Sequence, residues 1–451
     1  MVKQIAGYVN SFFSKGHERS LQAKKNIIYS LILKGGSILI SLILVPITIT
    51  FVNPTQYGVW LTLSSIISWF TFFDIGLGNG LKNKLAESLA INDIHRAKIY
   101  VSTTYTILII VSVLIFIIFY ISNLFLDWNA ILNINDKANL SKTALTIVSV
   151  FCIQFVFQLI NVVLTACQEP AKVSLLTFIG QVLSLSTILL LSHFYKGTLL
   201  LLVITIAGAP LLVTIISNFW FYLTNYRHIR PSIKDIDFLH AKSLLSIGGA
   251  FFVIQMGQLI LYQTDNIVIT QLFGPKEVTT FNLSYKLFSV VLTVFTIVMT
   301  PFWSAFTDAY AKGDHLWIHN TFKNIQLGWL ALVIGTALLV VVSPIIFKLW
   351  IKEIISIPLK LSVFMGLYVI ISSFHMMCCF LLNGIGKIKL QLYMYMVCFV
   401  INIPISIILG KWLGVIGITL SNIILLAIMG IMLYVQCQKI LNSKAVGIWN
   451  K

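Results

Sequence analysis

Twelve times along this chain of 451 residues, a long apolar run is broken by a short polar or Gly/Pro stretch. Runs of about 20 residues can cross a hydrocarbon layer ~30 Å thick as helices rising ~1.5 Å per residue. Only a helix satisfies its own backbone groups within such a segment. The predicted spans are 26–51, 57–79, 98–120, 143–166, 172–192, 198–222, 243–271, 279–302, 323–347, 360–382, 389–409 and 412–436. Composition removes the competing classes. Apolar residues make up 58% of the chain and charged residues 10%, where a soluble domain carries roughly 25% charged residues. A soluble enzyme, a disordered chain and a disulfide scaffold are excluded. A membrane barrel would show short alternating strands rather than long apolar runs. The fold class is an all-α integral membrane protein of about 12 transmembrane helices.

The net charge of +17 has its plainest cause in the positive-inside rule, by which cytoplasmic loops collect Lys and Arg. With both termini cytoplasmic, the inner segments hold 21 basic residues and the outer loops 8. Only Lys34 and Lys286 remain, inside spans. The outer loop carrying Lys348, Lys352 and Lys360 fits this count least well. No basic run is long enough to form a nucleic-acid face. The six cysteines lie within or at the ends of apolar runs, without metal-site spacing, and read as small core hydrophobes. Residues 1–25 have no continuous apolar core or cleavage site and are not a cleavable signal peptide. Val2, Ile5, Val9 and Phe12 recur at helical spacing. They predict a short amphipathic helix on the cytoplasmic surface, with a disordered basic tail as the alternative.

The two halves of the chain can be superposed. An offset of 221 carries Asn53-Pro54 onto Gly274-Pro275, and also Glu87 onto Asp308 and Asp93 onto Asp314. An offset of 215 carries Lys172 onto Lys387 and Lys196 onto Lys411. A repeat of six spans keeps both halves in the same orientation, so two six-helix lobes related by an internal repeat are predicted. Transporters built this way hold substrate between repeats. The expected organisation is 1–25 as the N-terminal segment, 26–222 as the N-lobe, 223–242 as a cytoplasmic linker, 243–436 as the C-lobe and 437–451 as a tail.

Four strongly ionisable residues lie well inside spans: Lys34, Asp74, Asp265 and Lys286. Each costs about 2.5–3.5 kcal/mol facing lipid on insertion scales, so each is expected to face a cavity or a partner. Counted from the turns at Pro54 and Pro275, Lys34 matches Asp74 in depth, and Asp265 matches Lys286. One Lys–Asp pair per lobe follows as an expectation, serving as alternate gates or as anion sites; a structural ion pair is the alternative. Gln255, Gln258, Gln263, Asn266 and Gln271 crowd the seventh span, and Gln258 shares a helical face with Asp265. His375, alone in the tenth span, reads as hydrogen-bonded structure before a proton relay. Asp74 is followed by Gly76, Gly78 and Gly80; Gly76 and Gly80 are spaced for close helix packing, and the glycine cluster is also suited to a hinge. Lys82 and Lys84 follow at the cytoplasmic mouth, placed to meet a phosphate or lipid headgroups.

Enzyme signatures are absent. The chain has no phosphate loop, no H-E-x-x-H zinc motif and no G-x-S-x-G elbow. The longest outer loop, 121–142, offers Asp127, Trp128 and Lys137, which make no catalytic set for a glycan polymerase.

Phe73-Asp74-Ile75-Gly76-Leu77-Gly78-Asn79 resembles the Asp-x-Gly-Leu signature of bacterial polysaccharide flippases. Asp265-Asn266-Ile267-Val268-Ile269, then Gly274 and Tyr285-Lys286-Leu287, resembles their seventh and eighth helices. Asn383 to Lys387 resembles the turn after their tenth. The resemblance covers nearly the whole chain. It places the chain near the multidrug/oligosaccharidyl-lipid/polysaccharide exporter superfamily and implies a MATE-like fold. It implies movement of undecaprenyl-diphosphate-linked oligosaccharide repeat units across the bacterial inner membrane by alternating access, for O-antigen or capsule synthesis. It also implies membrane lipids and the polysaccharide polymerase and chain-length machinery as partners. No cofactor is implied beyond coupling to a proton or sodium gradient. The implied cavity residues are Lys34, Asp74, Asn79, Gln258, Asp265, Asn266, Lys286 and His375. The chain departs from the family in having no Arg within any span. Three alternatives remain: a drug or metabolite exporter of the same superfamily, a major-facilitator transporter, whose signature loop is absent, and a membrane glycan polymerase.

Overall fold

The computed structural model describes residues 18–74, 76–134, 140–240, 263–352 and 354–450. Ten helices among them are long and apolar enough to cross a membrane, and eleven when the broken pair Pro54–Asp74 and Leu77–Ala90 counts as one crossing. The predicted seventh span, 243–271, is described only from 263, as a helix over 263–273. The expected surface helix within 1–25 lies largely outside the described residues. No strand occurs among the described residues.

In chain order, the first helices are α1 (Glu18–Val52), α2 (Pro54–Ser68), α3 (Leu77–Ala90) and α4 (Ile94–Asn123). They are followed by α5 (Trp128–Leu132), α6 (Leu140–Phe157), α7 (Leu159–Ala166), α8 (Pro170–Phe194), α9 (Leu199–Ile206) and α10 (Gly208–Leu223). The helix over 263–273 is α11. The remainder are α12 (Pro275–Ala311), α13 (His315–Ile351), α14 (Leu359–Ile385), α15 (Lys389–Leu413) and α16 (Val415–Leu441). The chain divides into two compact units. One comprises 1–51, 70–126 and 138–252; the other comprises 52–69, 127–137 and 253–451.

In the first unit, Leu77, Leu81 and Leu85 are buried on one face of α3. The spacing of four keeps them in one row. They pack with Tyr100, Val101 and Leu108 of α4 and with Phe155, Ile160 and Val163 of α6 and α7. The fourth predicted span, 143–166, is interrupted at Gln158, between α6 and α7. The break is bridged by Asn218, whose Nδ2 donates to the Phe157 carbonyl at 2.6 Å. Its Oδ1 accepts from the Tyr105 hydroxyl at 2.7 Å. A backbone carbonyl freed inside lipid must find such a donor.

In the second unit α14 is central, packing against α12, α13 and α16. Burial of apolar surface gives little drive between helices already in lipid, so close contact and polar ties carry the association. Gly384 lets the chains approach: a Cβ there would sit 2.9 Å from the Trp303 carbonyl. Thr307 donates from Oγ1 to the Gly384 carbonyl at 2.7 Å. The short helix α5, absent from the predicted spans, is capped by Asp127, which accepts from the Asn129 and Ala130 amides.

The backbone repeats what the sequence repeats. Asn53 (φ 87°, ψ 160°) and Gly274 (φ 88°, ψ 165°) precede α2 and α12 in the same conformation, each before a first-turn proline. Asp93 caps α4 through the Arg96 amide, and Asp314 caps α13 through the Trp317 amide. Their dihedrals also match, at φ −84°, ψ 76° and φ −81°, ψ 67°. Both motifs are local devices. Proline suits the first helical turn because it lacks an N–H, and aspartate satisfies a free amide there.

Candidate functional site

Asp265 is the most deeply placed of the four ionisable residues, 5% exposed on α11. Asn422 of α16 donates from Nδ2 to its Oδ2 at 2.6 Å. The Oδ1 atom is buried and meets no donor among the described residues. Behind Asn422 the chain of bonds continues. Asn402 of α15 donates to Asn422 Oδ1 at 2.9 Å, and Thr264 donates to Asn402 Oδ1 at 3.1 Å. A cavity of about 140 Å³ lies beside the carboxylate, with Asn266, Asn282, Tyr285, Tyr368 and Thr419 among its walls.

Asn266, one residue on, ties three elements together. Its Nδ2 donates to the Ser65 hydroxyl of α2 at 2.7 Å. Its Oδ1 accepts from Asn282 Nδ2 of α12 at 2.7 Å. One turn further, the hydroxyls of Thr270 and Thr62 meet at 2.6 Å. All of these residues belong to the second unit.

The expected Lys–Asp pairs do not form. No ion pair joins Lys286 to Asp265, or Lys34 to Asp74, among the described residues. Matching depth leaves helix rotation free, and here rotation decides. The Asp265 carboxylate turns to Asn422, while Lys286 sits half-buried on α12. Lys34 lies on an exposed face of α1. Asp74, at the end of a 3-10 turn over Trp69–Asp74, accepts from the Gly78 amide with both oxygens, at 3.0 and 3.3 Å. It therefore caps α3, whose start is set by Gly76 at φ 78°. Asn79 is half-buried on α3. Lys84 pairs with Glu87 at 2.8 Å, and Lys82 is exposed. His375 is 1% exposed in the α14 core, with Cys379 Sγ 3.4 Å from its Nε2 and the Tyr395 ring edge-on. Gln255 and Gln258 lie outside the described residues. The amides Asn402, Asn422 and Asn282 were not singled out from the sequence. An Asn inside an apolar run was the available signal.

A model of the family described as polysaccharide biosynthesis protein matches residues 23–306, more than half of the chain. The chain belongs to the polysaccharide biosynthesis protein family. The MatE model also matches, over 250–408. Two relatives carry names that refer to O-antigen. A Yersinia pseudotuberculosis protein named for O-antigen export is 23% identical over 86% of this chain and 88% of its own. A Salmonella typhi protein named for O-antigen transport is 22% identical over 69% of this chain and 71% of its own. The fold is that of solved MATE transporters. A structure described as the inward-facing conformation of a multidrug resistance MATE family transporter superposes with a TM-score of 0.76 at 14% identity, covering 93% of this chain and 98% of that one. A MOP superfamily transporter from Pyrococcus furiosus, described as having a binding pocket of reverse polarity, superposes at 0.65 with 15% identity, covering 97% and 98%. The family member is accordingly a multi-pass membrane protein, and the proteins it resembles are transporters rather than enzymes.

Proposed function

We propose that this protein is a flippase moving undecaprenyl-diphosphate-linked oligosaccharide repeat units across the bacterial inner membrane, with both termini cytoplasmic and two six-helix lobes alternating access. The observation that carries the reading is Lys286, an ammonium on a membrane-crossing helix with no carboxylate partner among the described residues. A cation left uncompensated there is costly, and an anionic cargo repays that cost. Lysine serves a diphosphate as a point charge. Lys34 on α1 is the second cation, and the family match and the relatives' names supply the glycan. The lipid tail stays in the bilayer throughout, and no covalent step is involved. Asp265 is the candidate for coupling to a proton or sodium ion, supported by its undonated Oδ1 and the adjoining polar cavity.

A second reading, a drug or metabolite exporter of the same superfamily, is favoured by one observation: that cavity presents a carboxylate and amides. Complementation separates the two. In a host sharing the glycan and lacking its own flippase, this protein restores surface polymer under the first reading. Under the second it restores none and raises drug tolerance instead.

A further inference from the structure

We infer that the first unit carries a site for an anionic phospholipid, separate from the translocation reading above. A groove of about 750 Å³ runs between α4, α6 and α10, with largely apolar walls. Ile109, Val113, Ile153 and Phe219 line it, each 43–59% exposed. These helices are spans, so that exposure is to hydrocarbon. From Ser102 to Phe116 the α4 wall covers ~21 Å, more than half of a ~30 Å core. The groove therefore has the length and lining of an acyl-chain seat.

One end of the groove is lined by residues 230–236, which hydrogen bonds and an ion pair hold against α4. The Ser232 amide donates to Ser102 Oγ at 3.0 Å, and the Asp237 amide to Thr103 Oγ1 at 3.0 Å. Lys98 pairs with Asp235 at 2.8 Å. Arg230 lines the groove at this end. Arg230 is exposed and makes no ion pair among the described residues. A planar fork of donors at the mouth of an apolar channel is matched by a phosphodiester. Ile233 and Leu239 of the same segment are 89% and 87% exposed. Apolar side chains beside Arg227, Arg230 and Lys234 are what a segment resting in the headgroup layer presents. The phosphate sits on Arg230, the acyl chain follows α4, and the surrounding basic residues select a net negative headgroup.

The test is native mass spectrometry of the full-length protein in mild detergent, titrated with phosphatidylglycerol, phosphatidylethanolamine and undecaprenyl phosphate. Phosphatidylglycerol is expected to bind at least fivefold more tightly than phosphatidylethanolamine. Arg230→Gln, at an exposed position, is expected to abolish that preference. Ile153→Trp is expected to reduce binding of both phospholipids by filling the groove. Equal affinities in the wild type, an unchanged preference in Arg230→Gln, or displacement of phosphatidylglycerol by undecaprenyl phosphate would each overturn the proposal.

Discussion

The hydroxyl of Thr279 donates to the carbonyl oxygen of Pro54 at 2.6 Å. The repeat offset that carries Pro54 onto Pro275 also carries Gly58 onto Thr279. Gly58 in turn faces the Pro275 carbonyl. The starts of α2 and α12 thus make one contact twice, with a hydroxyl on one side and a bare glycine on the other. A Cβ on Gly58 would lie 1.7 Å from the Pro275 oxygen. Gly58→Ala is expected to cost about 1–3 kcal/mol by overpacking, seen as a lower unfolding midpoint in detergent. Gly208→Ala, where a Cβ meets nothing within 4 Å, is the neutral control.

Asn402 holds both the Thr264 hydroxyl and the Asn422 amide in a fully buried position. Asn402→Leu removes the acceptor of the Thr264 hydroxyl and leaves Asn422 Oδ1 without its Asn402 donor. A buried polar group without a partner costs about 1–3 kcal/mol, above the ~0.6 kcal/mol average of interhelical bonds in lipid. The variant is expected to unfold earlier than Asn402→Gln, and to lose transport with Asp265 itself intact, because Asn422 no longer holds the carboxylate. Transport at the wild-type rate would show that the orientation of Asp265 is immaterial.

Asp265→Asn keeps the shape and one acceptor for Asn422 while removing the charge. It is expected to fold normally and to lose the dependence of transport on the ion gradient, with the rate falling at least tenfold. The check is transport against an imposed proton or sodium gradient in both forms.

The Lys98 ammonium bonded to Asp235 holds that carboxyl below its ordinary 3.8. A lowered folded value means the contribution is present above the unfolded value and fades as pH falls through the folded one. The wild type is expected to be more stable than Asp235→Asn at neutral pH, and the two are expected to converge below about pH 4. Unfolding midpoints across pH 3–7 read this directly. A constant difference would mean the tie between Asp235 and α4 is not ionic.

Local chemistry was legible in the sequence, and facing was not. Pro54, Pro275, Asp93 and Asp314 act within their own helix starts, so their roles could be read from neighbouring residues. The crossings followed from length and apolarity alone, yet the second ended differently: 57–79 became α2, a 3-10 turn and α3, because Asp74 and Gly76 start a new helix. The Lys–Asp pairs failed because equal depth says nothing of rotation about the helix axis. The Asp265–Asn422 bond joins residues 157 apart, and an uncharged amide in an apolar run carries a weaker signal than a lysine. His375 is accounted for by packing in the α14 core.

The most direct test is translocation itself. The purified protein is reconstituted into vesicles with a fluorescent undecaprenyl-diphosphate oligosaccharide, and lipid reaching the outer leaflet is followed by its accessibility to a membrane-impermeant glycosidase. The account predicts protein-dependent translocation that falls at least tenfold in Lys286→Gln, with little change in stability because no ion pair is lost. Translocation at the wild-type rate in Lys286→Gln and Lys34→Gln, both well folded, would contradict it.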